Sequence, residues 1–222
     1  MCAAGVLIGL PLLPWRLVRI RLGSRFGRPM GRAVLWIAGV RLVGDWAHLA
    51  TREPALYVTN HASNADPWMA MVVCPTGGCG VAKREIARIP FFGWAYVLSG
   101  HLLLDRSSSA SAIQSMKELA ALVREHGLSV WLWPEGTQSN DGGLLPFKRG
   151  FVHLAIAAGL PVVPVLFHDA HVRWPARSMR LVPGDVRVEI LDAVDTSSWR
   201  AETAAEHAEA VRSVMAGHLA AA

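Results

Sequence analysis

Residues 55–68 read Ala-Leu-Tyr-Val-Thr-Asn-His-Ala-Ser-Asn-Ala-Asp-Pro-Trp and change character twice. Ala55–Thr59 is a near-continuous apolar run, which suits a strand buried on both faces. The next seven residues, Asn60 to Asp66, are mostly polar. Asp66-Pro67 then has the form of a helix start, because Asp favours the cap and Pro the first helical position. Strand, polar loop and helix in that order make one unit of an α/β sheet.

The alternation continues downstream. Candidate strands are Gly80–Lys83, His101–Leu104, Ser129–Trp133, Val162–Phe167 and Val186–Leu191. Candidate helices are Pro67–Cys74, Ser109–His126, Arg149–Ala158 and Ala201–Ala220. Gly127 and Gly159-Leu160-Pro161 stand where helices should stop, and Asp195-Thr196-Ser197-Ser198 supplies cap residues for the last helix. The expectation is an α/β fold over residues 53–222, a mostly parallel central sheet flanked by helices. Such sheets bind ligands beyond the carboxyl ends of their strands. Three polar clusters stand there: 60–66, 105–106 and 134–139.

Upstream the composition differs. Residues 1–52 hold eight arginines against one acid, Asp45, a balance of +7, whereas the other 170 residues balance at −2. The chain is 52% hydrophobic and only 18% charged, so disorder is excluded and a lipid-facing surface is suggested. The arginines are interleaved with Leu, Ile, Val and Trp, which fits an anionic membrane better than a nucleic acid. The apolar run at 3–15 contains Pro11 and Pro14 and falls short of the roughly 20 residues that span a bilayer. No basic residue precedes it, as one would in a secretory signal. A second apolar stretch, Ala33–Val43, follows a Gly/Arg-rich turn at 23–32.

Residues 1–52 are therefore expected to form an N-terminal two-helix membrane-docking element, with Trp15 and Trp36 at the interface and the arginines among the headgroups. This places the protein on the cytoplasmic face of the cell membrane, peripheral or monotopic. A helical pair packed on the domain's own core is the alternative. Cys2, Cys74 and Cys79 lack the count and spacing of a disulfide framework or a zinc site, and no metal is implied.

His61 and Asp66 are the first candidates for chemistry. On one helix they would point about 140° apart. They meet only if His61 ends the strand and Asp66 opens the helix. A carboxylate so placed fixes one imidazole nitrogen, and the other can take a proton from a hydroxyl. Singly, Asp66 also reads as a plain cap and His61 as a hydrogen-bonded strand end. No G-x-S-x-G elbow supplies a nucleophile. Arg106 can clamp a phosphate or pair with Asp105. In Pro134-Glu135-Gly136-Thr137-Gln138, the Gly136 backbone and the Thr137 hydroxyl can hold a phosphate or an oxyanion, or the segment is simply an exposed turn.

Taken in order, these clusters resemble the glycerolipid acyltransferase family, of the 1-acylglycerol-3-phosphate acyltransferase type. The resemblance covers roughly residues 54–168. It rests on His61-x4-Asp66 with Asn60 ahead of it; Lys83-Arg84-Glu85-Ile86, Ile89-Pro90-Phe91-Phe92-Gly93-Trp94 and Gly100 to Asp105-Arg106; Pro134-Glu135-Gly136-Thr137; Phe147-Lys148-Arg149-Gly150; and Val163-Pro164-Val165. It implies His61 as general base and Asp66 as its orienter. Lys83, Arg106, Glu135, Gly136, Thr137 and Gln138 would hold the acceptor's polar head. It implies acyl-CoA or acyl-carrier protein as co-substrate, with no bound cofactor, and a lysophospholipid as acceptor.

The family pattern usually continues Gly-Thr-Arg, and Gln138 stands at that position here. Gln brings no charge, so either Lys148 or Arg149 substitutes or the acceptor is less charged, such as a lyso-aminolipid. A hydrolase using the same His/Asp pair and a non-catalytic membrane-binding protein are the competing readings.

Overall fold

A computed structural model describes residues 15–47, 49, 54–90, 92–104 and 109–221. In chain order the elements are helix α1 (Arg16–Ile37), β1 (Val40–Val43), β2 (Leu56–Thr59), α2 (Asp66–Val73), β3 (Gly78–Lys83), a 3-10 turn (Arg84–Arg88), α3 (Phe92–Leu98), β4 (Leu102–Leu104), α4 (Ser109–His126), β5 (Ser129–Leu132), α5 (Gly150–Ala158), β6 (Val162–Phe167), the short α6 (Ala170–Arg173), β7 (Gly184–Ile190) and α7 (Ala204–Ala220). The seven strands form one sheet in the order β1-β7-β6-β2-β5-β3-β4.

Strands β6, β2, β5, β3 and β4 run parallel. β7 is antiparallel to β6, and β1 is parallel to β7. The mostly parallel sheet expected from the sequence is therefore present, with a reversed pair at one side. The amino ends of β1 and β7 thus share an edge of the sheet with the carboxyl ends of the other five.

Side chains alternate along each strand, so both faces of the sheet are covered. Leu56, Val58, Val130 and Leu132 face a core built with Leu119 and Val123 of α4, Leu154 of α5 and Met215 of α7. Tyr57, Trp131, Val163 and Phe167 face the other core, with Leu35 of α1 and Met69 of α2. All four residues of β2 are buried, which is why that run carries no polar alternation.

The N-terminal region departs from expectation. The turn expected at 23–32 is helical: α1 runs unbroken from Arg16 to Ile37 with Pro29 inside it. Gly31 is a packing position. A Cβ on Gly31 would lie 2.6 Å from the Trp68 carbonyl oxygen, so only glycine lets α1 sit this close to α2. That contact outweighs a helix-propensity cost of about 1 kcal/mol. The helix expected over Ala33–Val43 ends at Ile37, and Val40–Val43 is strand β1, entered through Gly39 at φ 71°. The helix expected over 3–15 lies, but for Trp15, outside the described residues.

The arginines of α1 divide in two. Arg16 donates to the Gly100 carbonyl (3.2 Å), Arg19 to those of Val97 (3.1 Å) and Leu98 (3.2 Å), and Arg28 to that of Cys74 (3.0 Å). These bind carbonyls at and just beyond the carboxyl ends of α3 and α2, where a helix leaves its last carbonyls short of partners. They are not free to reach headgroups as the sequence reading had them. Arg21, Arg25 and Arg32 are exposed, with no partner among the described residues. Trp15 and Trp36 are exposed as well. Among the described residues, no helix is long and apolar enough to cross a membrane.

Candidate active site

Central strand β2 lies between β6 and β5, and the site is built where it ends. Asn60 follows its last residue and staples it to β6: its amide donates to the Phe167 carbonyl (3.0 Å) and its oxygen accepts the Phe167 N–H (2.9 Å). The side-chain amide takes over the ladder where the strands part. The chain then turns through residues 61–65 into α2.

Asp66 occupies the first turn of α2, yet it makes no cap bond to its own helix. Its side chain reaches back into the loop instead. The Oδ2 atom accepts the N–H groups of Ala62 and Ser63 (both 2.9 Å) and meets His61 Nδ1 at 2.7 Å. The carboxylate is only 1% exposed. Burial pushes the Asp66 carboxyl above the ordinary range, although the His61 ring and the two backbone donors oppose that push. Its second oxygen, Oδ1, is buried without a hydrogen-bond partner.

The ring has one further contact, and the His61 backbone has two. The Trp133 ring stacks on the imidazole, centroids 4.8 Å apart. The His61 N–H donates to Glu135 Oε1 (2.7 Å), and the Ser139 N–H donates to the His61 carbonyl (2.7 Å). His61 Nε2 has no partner among the described residues, and the side chain is partly exposed at 18%. Trp133 and Glu135 follow β5, which pairs with β2 through Val58 and Leu132, so adjacency in the sheet brings them to His61.

Glu135, expected either to hold the acceptor's polar head or to sit exposed in a plain turn, is not exposed. It is buried, and its two oxygens accept backbone N–H groups from His61 and, at 2.9 Å, from Leu145. The carboxylate thus holds the loop that carries His61, and burial raises its pKa to about 7. Gln138 is also turned inward, donating to the Ser63 carbonyl at 2.8 Å. Gly136 adopts φ 72°, and a Cβ there would lie 3.0 Å from Lys148 Nζ, so the lysine ammonium lies against this turn.

Thr137 is exposed. Lys83 is exposed at the carboxyl end of β3, two strands and roughly 10 Å from β2. Arg106 lies outside the described residues. Burial pushes the Cys74 and Cys79 thiols up to about 12, so neither supplies a thiolate at neutral pH.

Three features of the site were not read from the sequence. The Trp133 stack had a visible signal in the aromatic before Pro134. The Asn60 staple and the Glu135 clasp had none, because their partners lie 107 and 74 residues away.

An imidazole tied to a buried carboxylate, its second nitrogen unpartnered among the described residues, at the carboxyl edge of a doubly covered α/β sheet, is an arrangement chemically able to take a proton from a bound group. The chain belongs to the acyltransferase family: the family profile described as Acyltransferase matches residues 42–168. A 1-acyl-sn-glycerol-3-phosphate acyltransferase of Limnanthes douglasii is 40% identical over 214 residues, 96% of this chain and 75% of the relative. The enzyme of that name from Escherichia coli is 37% identical over 161 residues, 72% of this chain and 65% of the relative. The crystal structure of the 1-acyl-sn-glycerophosphate (LPA) acyltransferase from Thermotoga maritima superposes with a TM-score of 0.69 at 25% identity, covering 91% of this chain and 80% of that one.

Proposed function

We propose that this enzyme moves a fatty acyl group from acyl-CoA or acyl-carrier protein to the hydroxyl of lysophosphatidate, working at an anionic membrane surface. The observation that carries the reading is the 2.7 Å contact between His61 Nδ1 and the buried Asp66 carboxylate. The acceptor class is that of the relatives' names.

Nδ1–H donates to Asp66, which leaves the Nε2 lone pair facing outward. Nε2 takes the acceptor's hydroxyl proton as the oxygen attacks the thioester carbonyl. The tetrahedral intermediate collapses with cleavage of the C–S bond, and Nε2–H returns the proton to the departing thiolate. The Asp66 carboxylate is held charged against its burial by the Ala62 and Ser63 N–H groups, and its negative charge stabilises the imidazolium that forms beside it. No covalent acyl-enzyme is required, in keeping with the Cys74 and Cys79 thiols, both pushed up to about 12.

Charge for the acceptor's phosphate comes from Lys148 beside Gly136, in place of the arginine absent at Gln138. The test is a panel of lysolipid acceptors with one acyl-CoA. Wild type should prefer lysophosphatidate, and thioester consumption should depend on the acceptor. Lys148→Gln should raise KM for lysophosphatidate about tenfold, the scale of one charged hydrogen bond, with kcat little changed. An unchanged KM would remove Lys148 from the head-group site. Fatty acid release at the same rate without acceptor would make the protein a thioester hydrolase.

A further inference from the structure

The segment that crosses from β6 to β7 lies on the catalytic loop and faces solvent with basic and apolar side chains. Ser63 Oγ donates to the Trp174 carbonyl (2.7 Å), and the Asn64 N–H donates to the same oxygen (3.1 Å). The Asn64 amide donates to the carbonyls of Pro175 (3.0 Å) and Ser178 (2.9 Å), and Trp174 Nε1 closes the turn onto Ser178 (3.0 Å). This strap is thereby fixed to the loop that carries His61.

Its outer side has no use within the chain. Met179 is 88% exposed and Leu181 41%. The exposed Arg177 and Arg180 guanidinium groups have no partner among the described residues. No acidic residue occurs between Ala170 and Gly184.

The strap also continues an apolar surface. The Gly184 N–H donates to the Gly39 carbonyl (2.9 Å), and a Cβ on Gly39 would lie 2.8 Å from Pro183 Cβ. This sets the strap's end beside the end of α1, where Trp36 is 82% and Ile37 73% exposed. The topology puts both at the catalytic edge, because β1 and β7 begin where β2 ends.

We propose that residues 174–183 form a lipid-contacting strap. Arg177 and Arg180 bind anionic headgroups while Met179 and Leu181 enter the interface, which sets the His61 loop against the bilayer that supplies the acceptor. The occupant is an anionic lipid surface, because the patch joins unpaired arginines to exposed apolar side chains with no acid among them. This rests on the reading that the acceptor is taken from a membrane.

The test uses the full chain, vesicles of phosphatidylglycerol and phosphatidylcholine, and two sets of exposed substitutions: Met179→Asp, and Arg177→Gln with Arg180→Gln. At about fivefold per arginine, the double variant should lower vesicle partition about 25-fold. It should lose acylation of vesicle-borne lysophosphatidate to match. Turnover of a short-chain lysophosphatidate dissolved below its micelle threshold should remain at the wild-type rate. Trp36→Asp serves as the comparison. If it releases the protein from vesicles while the strap variants bind as wild type, the strap proposal is overturned and the membrane reading stands. If wild type itself ignores the vesicles but turns over the soluble acceptor, the membrane reading fails and the proposal with it. Equal loss on soluble and vesicle-borne acceptors would reduce the strap to a scaffold of the loop. A change in self-association without a change in vesicle binding would make it a protein interface, and either result overturns the proposal.

Discussion

Replacing His61 by Ala should lower acyl transfer by about 10²–10⁴-fold, the usual contribution of a positioned general base. The loss should fall on kcat, with KM for both substrates little changed, because the ring is needed as the proton moves and holds neither substrate by charge. The fold should survive. The loop is secured by other groups: Asn60 on Phe167, Asp66 on the Ala62 and Ser63 N–H groups, and Glu135 on the His61 N–H. The alanine keeps that last backbone donor. Steady-state kinetics on the purified variant, with a thermal unfolding scan to show the fold intact, make the measurement. Activity within a few-fold of wild type would rule out His61 as the base.

Asp66→Asn should come close to the same loss. Rotated with its oxygen in the Oδ2 position, the asparagine still accepts the two loop N–H groups, and its NH2 takes the place of the orphaned Oδ1. The turn therefore persists. What goes is the negative charge beside Nδ1, and with it the stabilisation of the imidazolium that forms when Nε2 takes the proton. Because His61 and Asp66 act as a unit, the double variant His61→Ala/Asp66→Asn should be little worse than His61→Ala alone. Losses that multiply would mean that Asp66 contributes through something other than the ring. Rate measurements on the three variants under one condition decide the matter.

Residues 55–68 contain most of what the site needs: a run buried on both faces, a polar turn and an Asp-Pro helix start. Their reading carried over to β2, the His61 loop and α2 nearly residue for residue. Ser109–His126 was legible for the same reason, since length, polarity and a glycine stop agree. The N-terminal third was harder. Gly23, Gly27 and Gly31 carry the composition of a turn, and only the folded contacts show otherwise: Gly31 lies against the α2 backbone and Gly23 against Ser99. Val40–Val43 has no strand signature of its own. It is a strand because β7 pairs with it from 144 residues away. Glu135 illustrates the general limit. The resemblance put it on the acceptor's polar head, but its burial follows from which backbone donors the folded sheet brings to it. The strap on Ser63 and Asn64 was equally hidden, since its bonds are made by backbone carbonyls that no side-chain pattern encodes.

The central claim is that the proton on the His61 ring sits on Nδ1, against Asp66, with Nε2 free to act. Nitrogen-15 NMR of the imidazole rings, with the His61 signals assigned by their absence in His61→Ala, reads this directly at a pH where the ring is neutral. The account predicts a protonated Nδ1 and an unprotonated Nε2. A neutral His61 ring with its proton on Nε2 would contradict it, because that nitrogen would then have no lone pair for the acceptor hydroxyl.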